Sequence, residues 1–193
     1  MPTTPDTSDA RSAAEHDVTE PPAPRSHRAA ADRPEAGEPS LVEHRARVGD
    51  IDPVTLYRLL RLRQDVFVTE QQVTDPDLDG RDLEDGSELL WISAGGEPVA
   101  HLRILEGPGE QVRIGRVATR ADHRHQGLAR RLMGLALERA RERHPQWPVE
   151  IDAQAYLEDW YAAQGFVRHG EVFLEASLEH VAMTYQHPGT PPR

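Results

Sequence analysis

Apolar positions recur along this chain with two different periods, and the changes of period mark its elements. Leu56, Leu59, Leu60, Val66 and Phe67 return at helical spacing. Ahead of them, Asp52-Pro53 reads as an N-cap followed by proline at the first helical position. Asp75–Glu88 is acidic and rich in turn formers, hence a loop. Leu89–Ala94, Gly95-Gly96 and Val99–Leu105 predict strand, tight turn and strand. Gly107-Pro108-Gly109 turns the chain into Val112–Thr119, whose alternation falters near Arg116-Val117 as it does at a β-bulge. Leu128, Leu132, Leu135 and Ala136 then form one helical stripe, ended by His144-Pro145. Val149–Ala153 predicts a short strand and Tyr156–Gln164 a short helix, with Gly165 as its C-cap. Val167–Leu174 and His180–Tyr185 predict two closing strands. This order of elements predicts an α/β (α+β) domain around a mixed sheet.

Composition adds a boundary and several exclusions. Residues 1–40 hold seven prolines, no aromatic, and no apolar side chain larger than alanine except Met1 and Val18. Such a segment cannot bury enough surface to offset its ordering entropy, so it is expected to be disordered. The folded domain is then 41–187, with 188–193 a flexible C-terminus. Cysteine is absent, which excludes a disulfide scaffold, thiol catalysis and cysteine-ligated zinc. No apolar run reaches the ~20 residues of a membrane helix. The N-terminus also lacks the basic start and apolar stretch of a secretory signal, so a cytoplasmic location is expected. Every one of the 22 basic residues is arginine, against 33 acidic ones, for a net charge of −11. That balance argues against nonspecific nucleic-acid or membrane binding and favours a cationic partner such as an amine.

One stretch breaks the acidic pattern. Arg116–Arg131 carries five arginines against the single Asp122, a local charge of +4. It lies where a strand ends and a helix begins, with Gly127 and Ala129 in the turn. A helix N-terminus exposes unpaired N–H groups and about half a positive charge, and small residues there admit a close anion. A phosphate-bearing ligand is one reading; an arginine-rich surface helix with Gly127 as a plain turn residue is the other. The segment is neither a P-loop nor a dinucleotide fingerprint, because it lacks Lys-Ser/Thr and Gly-x-Gly-x-x-Gly.

Arg124-His125-Gln126-Gly127-Leu128-Ala129 resembles the Arg/Gln-x-x-Gly-x-Gly/Ala signature of the GNAT superfamily of acyl-CoA N-acyltransferases. The strands Ile114–Thr119 and Val149–Ala153 and the run Trp160-Tyr161-Ala162-Ala163-Gln164-Gly165-Phe166 follow in the family's order. Arg63–Gln71, Asp77-Leu78-Asp79-Gly80, Gln154-Ala155 and Glu179–Met183 are similar to its ElaA-like branch. The resemblance covers about 41–186. It implies a mostly antiparallel sheet flanked by helices, whose central strands splay to form an acyl-CoA cleft, with acetyl-CoA as cosubstrate and an amine as acceptor. Val117 and Thr119 would bond the pantetheine arm, and the amides of Gln126, Gly127, Leu128, Ala129 and Arg130 the pyrophosphate, with Arg124 opening the signature. Gln154 stands where many members carry an Asn that contacts CoA. Tyr161 is the implied general acid: a phenol of pKa ~10 is protonated at neutral pH and can serve the departing thiolate.

An alkylamine of pKa ~10.4 is almost fully protonated at neutral pH, so a base is wanted. Glu70 is the candidate; His101 and His180 are others. Asp75, Asp77, Asp79 and Asp82 read as an acidic rim that attracts the amine, or as a solvated loop. Asp75–Gly80 also resembles the start of an EF-hand, but Asp82 and Gly86 occupy positions that need an apolar residue and a bidentate Glu. His123 and His125 lack a third ligand, and Ser87 and Ser93 lie in no nucleophile elbow, so neither metal nor serine hydrolysis is expected. The reading is an N-acetyltransferase acting by direct attack. Its rival is a non-catalytic acyl-CoA-binding or sensor module. Small amine, antibiotic, peptide N-terminus and protein lysine all stay open as acceptors, as does the oligomeric state.

Overall fold

The first expected helix forms where its cap lies. Asp52 accepts hydrogen bonds from the Val54 and Thr55 amides, and Pro53 opens α1 (Pro53–Arg63). Residues 40–187 are described by this computed structural model. The expectations for the N-terminal tail and for 188–193 therefore lie outside the described residues, apart from Ser40. After α1 the chain widens into π-helical turns over Gln64–Glu70. Such turns are rare and tend to occur at functional sites. Here they carry Glu70 and Gln71 toward the middle of the sheet.

Every predicted strand is present: β2 (Glu88–Ala94), β3 (Glu97–Gly107), β4 (Gln111–Thr119), β5 (Val149–Gln154), β6 (Val167–Glu175) and β7 (Leu178–Tyr185). A further strand, β1 (Leu41–Ala46), pairs with β2 and was not expected. Its residues are exposed or half-buried on both faces, so no apolar alternation announces it. The seven strands run in the order β1-β2-β3-β4-β5-β7-β6, antiparallel except for β4 with β5. α2 (Leu128–Arg143) covers one face, with Leu132, Met133 and Ala136 fully buried against Leu90, Ile92 and Leu102. α1 covers the other, where Leu59 meets Leu89 and Trp91. Alternation along β2 thus divides its side chains between two helical layers. Burying each Leu or Met contributes about 1.5–3 kcal/mol.

The expected helix at Tyr156–Gln164 is shorter. A 3-10 turn over Ala155–Leu157 precedes α3 (Glu158–Ala162), because Leu157 leaves helical geometry at φ −101°, ψ 4°. Its end is as expected: Gly165 is left-handed at φ +95°, and the Gly165 and Phe166 amides donate back to the Ala162 and Tyr161 carbonyls. That is a Schellman ending, which needs a residue free of Cβ strain. Among the described residues no helix is long and apolar enough to cross a membrane.

Candidate active site

β4 and β5 lie side by side only at Val112–Val149 and Arg113–Glu150. Beyond those pairs the two strands diverge, and the gap opens into a cavity of about 770 Å³. The cause is visible in β4. Its register against β3 slips between His101, which faces Ala118, and Arg103, which faces Gly115. Arg116 at the slip is left-handed, φ +54°. A non-glycine residue in that region costs roughly 1–2 kcal/mol, so it persists only where neighbours hold it. The bulge expected near Arg116-Val117 is therefore real, and it bends β4 away from β5.

Neighbours do hold it. His101 donates from Nδ1 to the Arg116 carbonyl at 3.0 Å. A carbonyl only accepts, so Nδ1 carries the proton. His101 is fully buried, and burial first, then the charge of Arg63, pushes its pKa down to about 3. It stays neutral, it does not line the cavity, and it is no candidate for the base.

At the far end of β4, Arg124 donates from Nε to the Thr119 carbonyl at 3.1 Å. His125 and Gly127 are both left-handed, at φ +62° and +76°. No side chain caps α2, so the amides of its first turn have no partner within the helix. A turn of this kind aims several N–H groups at one point, which suits an anion. A Cβ at Gly127 would meet nothing within 4 Å, so glycine serves its backbone angle there rather than a tight contact.

The local charge of that turn is far less than its sequence indicates. Arg116 pairs with Asp77 and Asp79, Arg120 with Asp122, Arg124 with Glu70 and Arg131 with Glu43. Of the five arginines, Arg130 alone lacks an acidic partner among the described residues. Glu70 receives both Nη groups of Arg124, at 2.7 and 2.6 Å. Those bonds hold the Glu70 carboxyl below the usual carboxylate range.

The acidic loop needs the larger correction. Arg63 donates to Asp77 at 2.9 Å and to Asp82 at 2.8 Å. Arg103 holds Asp79 at 2.7 and 2.9 Å and lies 3.3 Å from Asp82. Arg116 closes the circuit, 2.9 Å from Asp77 and 3.2 Å from Asp79. Three guanidinium groups and three carboxylates thus form a closed, electrically neutral ring. Burial pushes Asp79 up, but the hydrogen bonds and charge of Arg103 outweigh it, and the carboxyl sits at about 2. Asp77, Asp79 and Asp82 are therefore not free carboxylates but anchor the loop to α1, β3 and β4, while Asp75, Asp77 and Asp79 also line the cavity. Asp75 stands outside the ring.

Tyr161 lies on α3 against the cleft, edge-on to Trp160 at 4.7 Å and to Phe166 at 5.9 Å. It is 7 % exposed, and burial pushes its pKa up to about 12. Its hydroxyl has no hydrogen-bond partner among the described residues. Gln154, at the end of β5, donates to Gln71 Oε1 at 3.1 Å and so bridges the cleft. His180 points into the cleft wall, its Nδ1 bonded to the Leu178 carbonyl at 2.9 Å.

The fold brings Tyr161, Glu70, Val117, Thr119, Arg124, Gly127, Leu128, Ala129, Arg130 and Gln154 to this one cavity. Gln126 is not on its wall; its side-chain amide reaches toward the Asp122 carbonyl at 3.5 Å. Sequence reasoning missed Gln71 and the buried Arg63 and Arg103. Arg63 carries a signal in retrospect, because a charged residue continues the buried stripe of Leu59, Leu62 and Val66.

This sheet, split beside a bulged strand with an uncapped helix start at the end of the split, has the GNAT fold of its structural neighbours. The profile described as "Acetyltransferase (GNAT) domain" matches residues 62–187, and the chain belongs to that family. A UPF0039 protein of Mycobacterium tuberculosis is 45% identical over 138 residues, 69% of this chain and 86% of the relative. A crystal structure of an acyl-CoA N-acyltransferase from Pseudomonas aeruginosa superposes with TM-score 0.72 at 37% identity, covering 76% of this chain and 99% of that one. Escherichia coli ElaA superposes equally well, TM-score 0.72 at 32% identity, over 76% of this chain and all of that one.

Proposed function

We propose that this protein is an acetyl-CoA-dependent N-acetyltransferase that passes the acyl group directly to a primary amine within a ternary complex. The observation that carries this reading is Tyr161, a buried phenol without a hydrogen-bond partner on the wall of the cleft. The amine nitrogen attacks the thioester carbonyl carbon and forms the C–N bond. As the C–S bond breaks, its electron pair leaves on sulfur and the sulfur takes the Tyr161 proton, while the attacking nitrogen sheds an N–H proton to become the amide; that proton returns to the tyrosinate and restores the phenol. A phenol at about 12 is a weak acid for a thiol of ordinary pKa ~8.5. The same desolvation raises a thiol's pKa, which brings the pair back toward balance. The chain has no cysteine to carry an acyl group, which favours direct attack.

The pyrophosphate is held by the first amides of α2 and by Arg130, and Val117 and Thr119 line the path of the pantetheine arm. Glu70 takes the ammonium proton once Arg124 has exchanged it for a phosphate. Inside the ion pair the hydrogen bonds from Arg124 lower its pKa and make its carboxylate a weaker base than a free one.

The test is thiol release from acetyl-CoA across a panel of amines, with wild type and Tyr161→Phe. The variant keeps the ring packing and loses the proton, so acetyl-CoA affinity should hold while turnover falls about ten- to thousandfold. Because Tyr161 stays protonated to about 12, wild-type turnover should rise with pH as the amine deprotonates and show no alkaline decline below pH ~10. Thiol release from no amine by a protein that binds acetyl-CoA would support the sensor alternative.

A further inference from the structure

The peptide joining Arg116 to Val117 is fixed from the side away from the cleft. Its carbonyl faces His101, which is fully buried and lies outside the cavity wall. A trans peptide is planar, with C=O and N–H pointing in opposite directions, so the Val117 N–H points away from His101. Val117 has no register partner in β3 or in β5. It lines the cavity. The guanidinium of the same Arg116 is held on Asp77 and Asp79, so side chain and carbonyl of this left-handed residue are both anchored.

We infer that His101 is a positioning residue for acyl transfer, whose Nδ1–H locks the Arg116 carbonyl and thereby aims the Val117 N–H into the cleft at the acyl-CoA. This rests on the acyltransferase reading above. His101 touches no substrate; it acts through one peptide unit. Without its bond, the strained φ of Arg116 relaxes, the peptide rotates, and the donor swings off its target. An error of about 1 Å at such a donor costs up to about a hundredfold. Neutral imidazole is the right tool. Arg63, Arg103 and Asp82 surround it, and its protonation would bring a third cation beside two buried arginines. Its Nε2 is buried without a partner, so the Nδ1 bond is the one hydrogen bond the ring makes among the described residues.

Three variants and one measurement on the unaltered protein test this. In Asn the side-chain N–H lies close to the place of Nδ1, and in Gln close to that of Nε2. His101→Leu should raise KM and Kd for acetyl-CoA about ten- to hundredfold with the amine KM unchanged. His101→Asn should restore most of the affinity and His101→Gln little of it. Wild-type affinity in His101→Leu, or equal behaviour of Asn and Gln, overturns the inference. In wild type, nitrogen NMR should find His101 as the Nδ1–H tautomer, neutral at pH 5 to 9, with a shift that moves when acetyl-CoA is added. An Nε2–H tautomer, or a shift indifferent to acetyl-CoA, overturns it whatever the variants do. Wild-type protein that binds no acetyl-CoA sinks the acyltransferase reading itself, whereas binding with an indifferent His101 sinks this inference alone.

Discussion

The acidic loop at Asp75–Asp82 and the arginine-rich turn at Arg116–Arg131 carry opposite charge in the sequence, and the fold neutralises both. In the loop, Asp77, Asp79 and Asp82 are consumed by Arg63, Arg103 and Arg116 in a ring whose Arg63, Arg103 and Asp77 are buried. In the turn, four arginines are paired and Arg130 remains. Arg116 belongs to both regions, so one guanidinium cancels charge in each. What distinguishes the regions is backbone. The loop presents carboxylates that already have donors, while the turn presents amides at an uncapped helix start. Charge runs along a chain therefore describe a field before pairing; only groups left without partners describe a binding site.

The sharpest way to break this comparison is to open the ring. Arg63 is fully buried and holds two carboxylates. Arg63→Met keeps the apolar stem and leaves Asp77 and Asp82 short of a partner. Removing one member of a buried pair costs about 3–5 kcal/mol, and urea unfolding should show that loss. Asp75→Asn, outside the ring, should stay within about 0.5 kcal/mol of wild type. The pH dependence has a definite sign. Asp79 falls from 3.8 to about 2 on folding, so its contribution is whole above pH ~4 and is lost as pH falls toward ~2. An Arg63→Met protein as stable as wild type would return the loop to a solvated surface.

The second test divides backbone from charge in the turn. Gly127 is left-handed with open space around its Cα, so an added side chain meets strain but no collision. Asn tolerates that conformation. Gly127→Asn should keep acetyl-CoA affinity within about threefold. Gly127→Glu sets a negative charge at the helix start and should weaken binding more than about a hundredfold by calorimetry. Equal losses in both variants would make Gly127 a fold residue and nothing more.

How much of this was legible follows from what each signal is made of. The strands β4 and β5 and the helix α2 bury one face each, which writes a period into the sequence, whereas β2 and β3 are buried on both faces and read as continuous apolar runs. The bulge was readable because it breaks that period at Arg116-Val117. β1 was not, since a strand exposed on an edge has no side-chain pattern to give. Tyr161 and the Arg124–Ala129 turn were legible through resemblance, and all of them but Gln126 line the cavity. The ring and the His101 bond were not, because their partners lie 14 to 39 residues apart and pairing at such separations leaves no local trace. The same blindness hid that three of the acidic loop's carboxylates already hold guanidinium partners.

The smallest effect sharpens the comparison most. Arg130 is exposed, lines the cavity and has no acidic partner among the described residues. If the turn binds phosphate mainly through amides, this one free cation should add a modest, screened attraction. Exposed charges interact weakly in water, and at about 0.5 M salt the screening length falls to only a few ångströms. Arg130→Gln should therefore weaken acetyl-CoA binding about two- to fivefold at low salt and hardly at all near 0.5 M. The slope of affinity against salt should flatten in the variant. A loss of a hundredfold, or one that persists at high salt, would mean that the guanidinium makes a direct, desolvated bond to the ligand. The division between a backbone site and a charge-paired loop would then fail at the one arginine of the turn that has no acidic partner among the described residues.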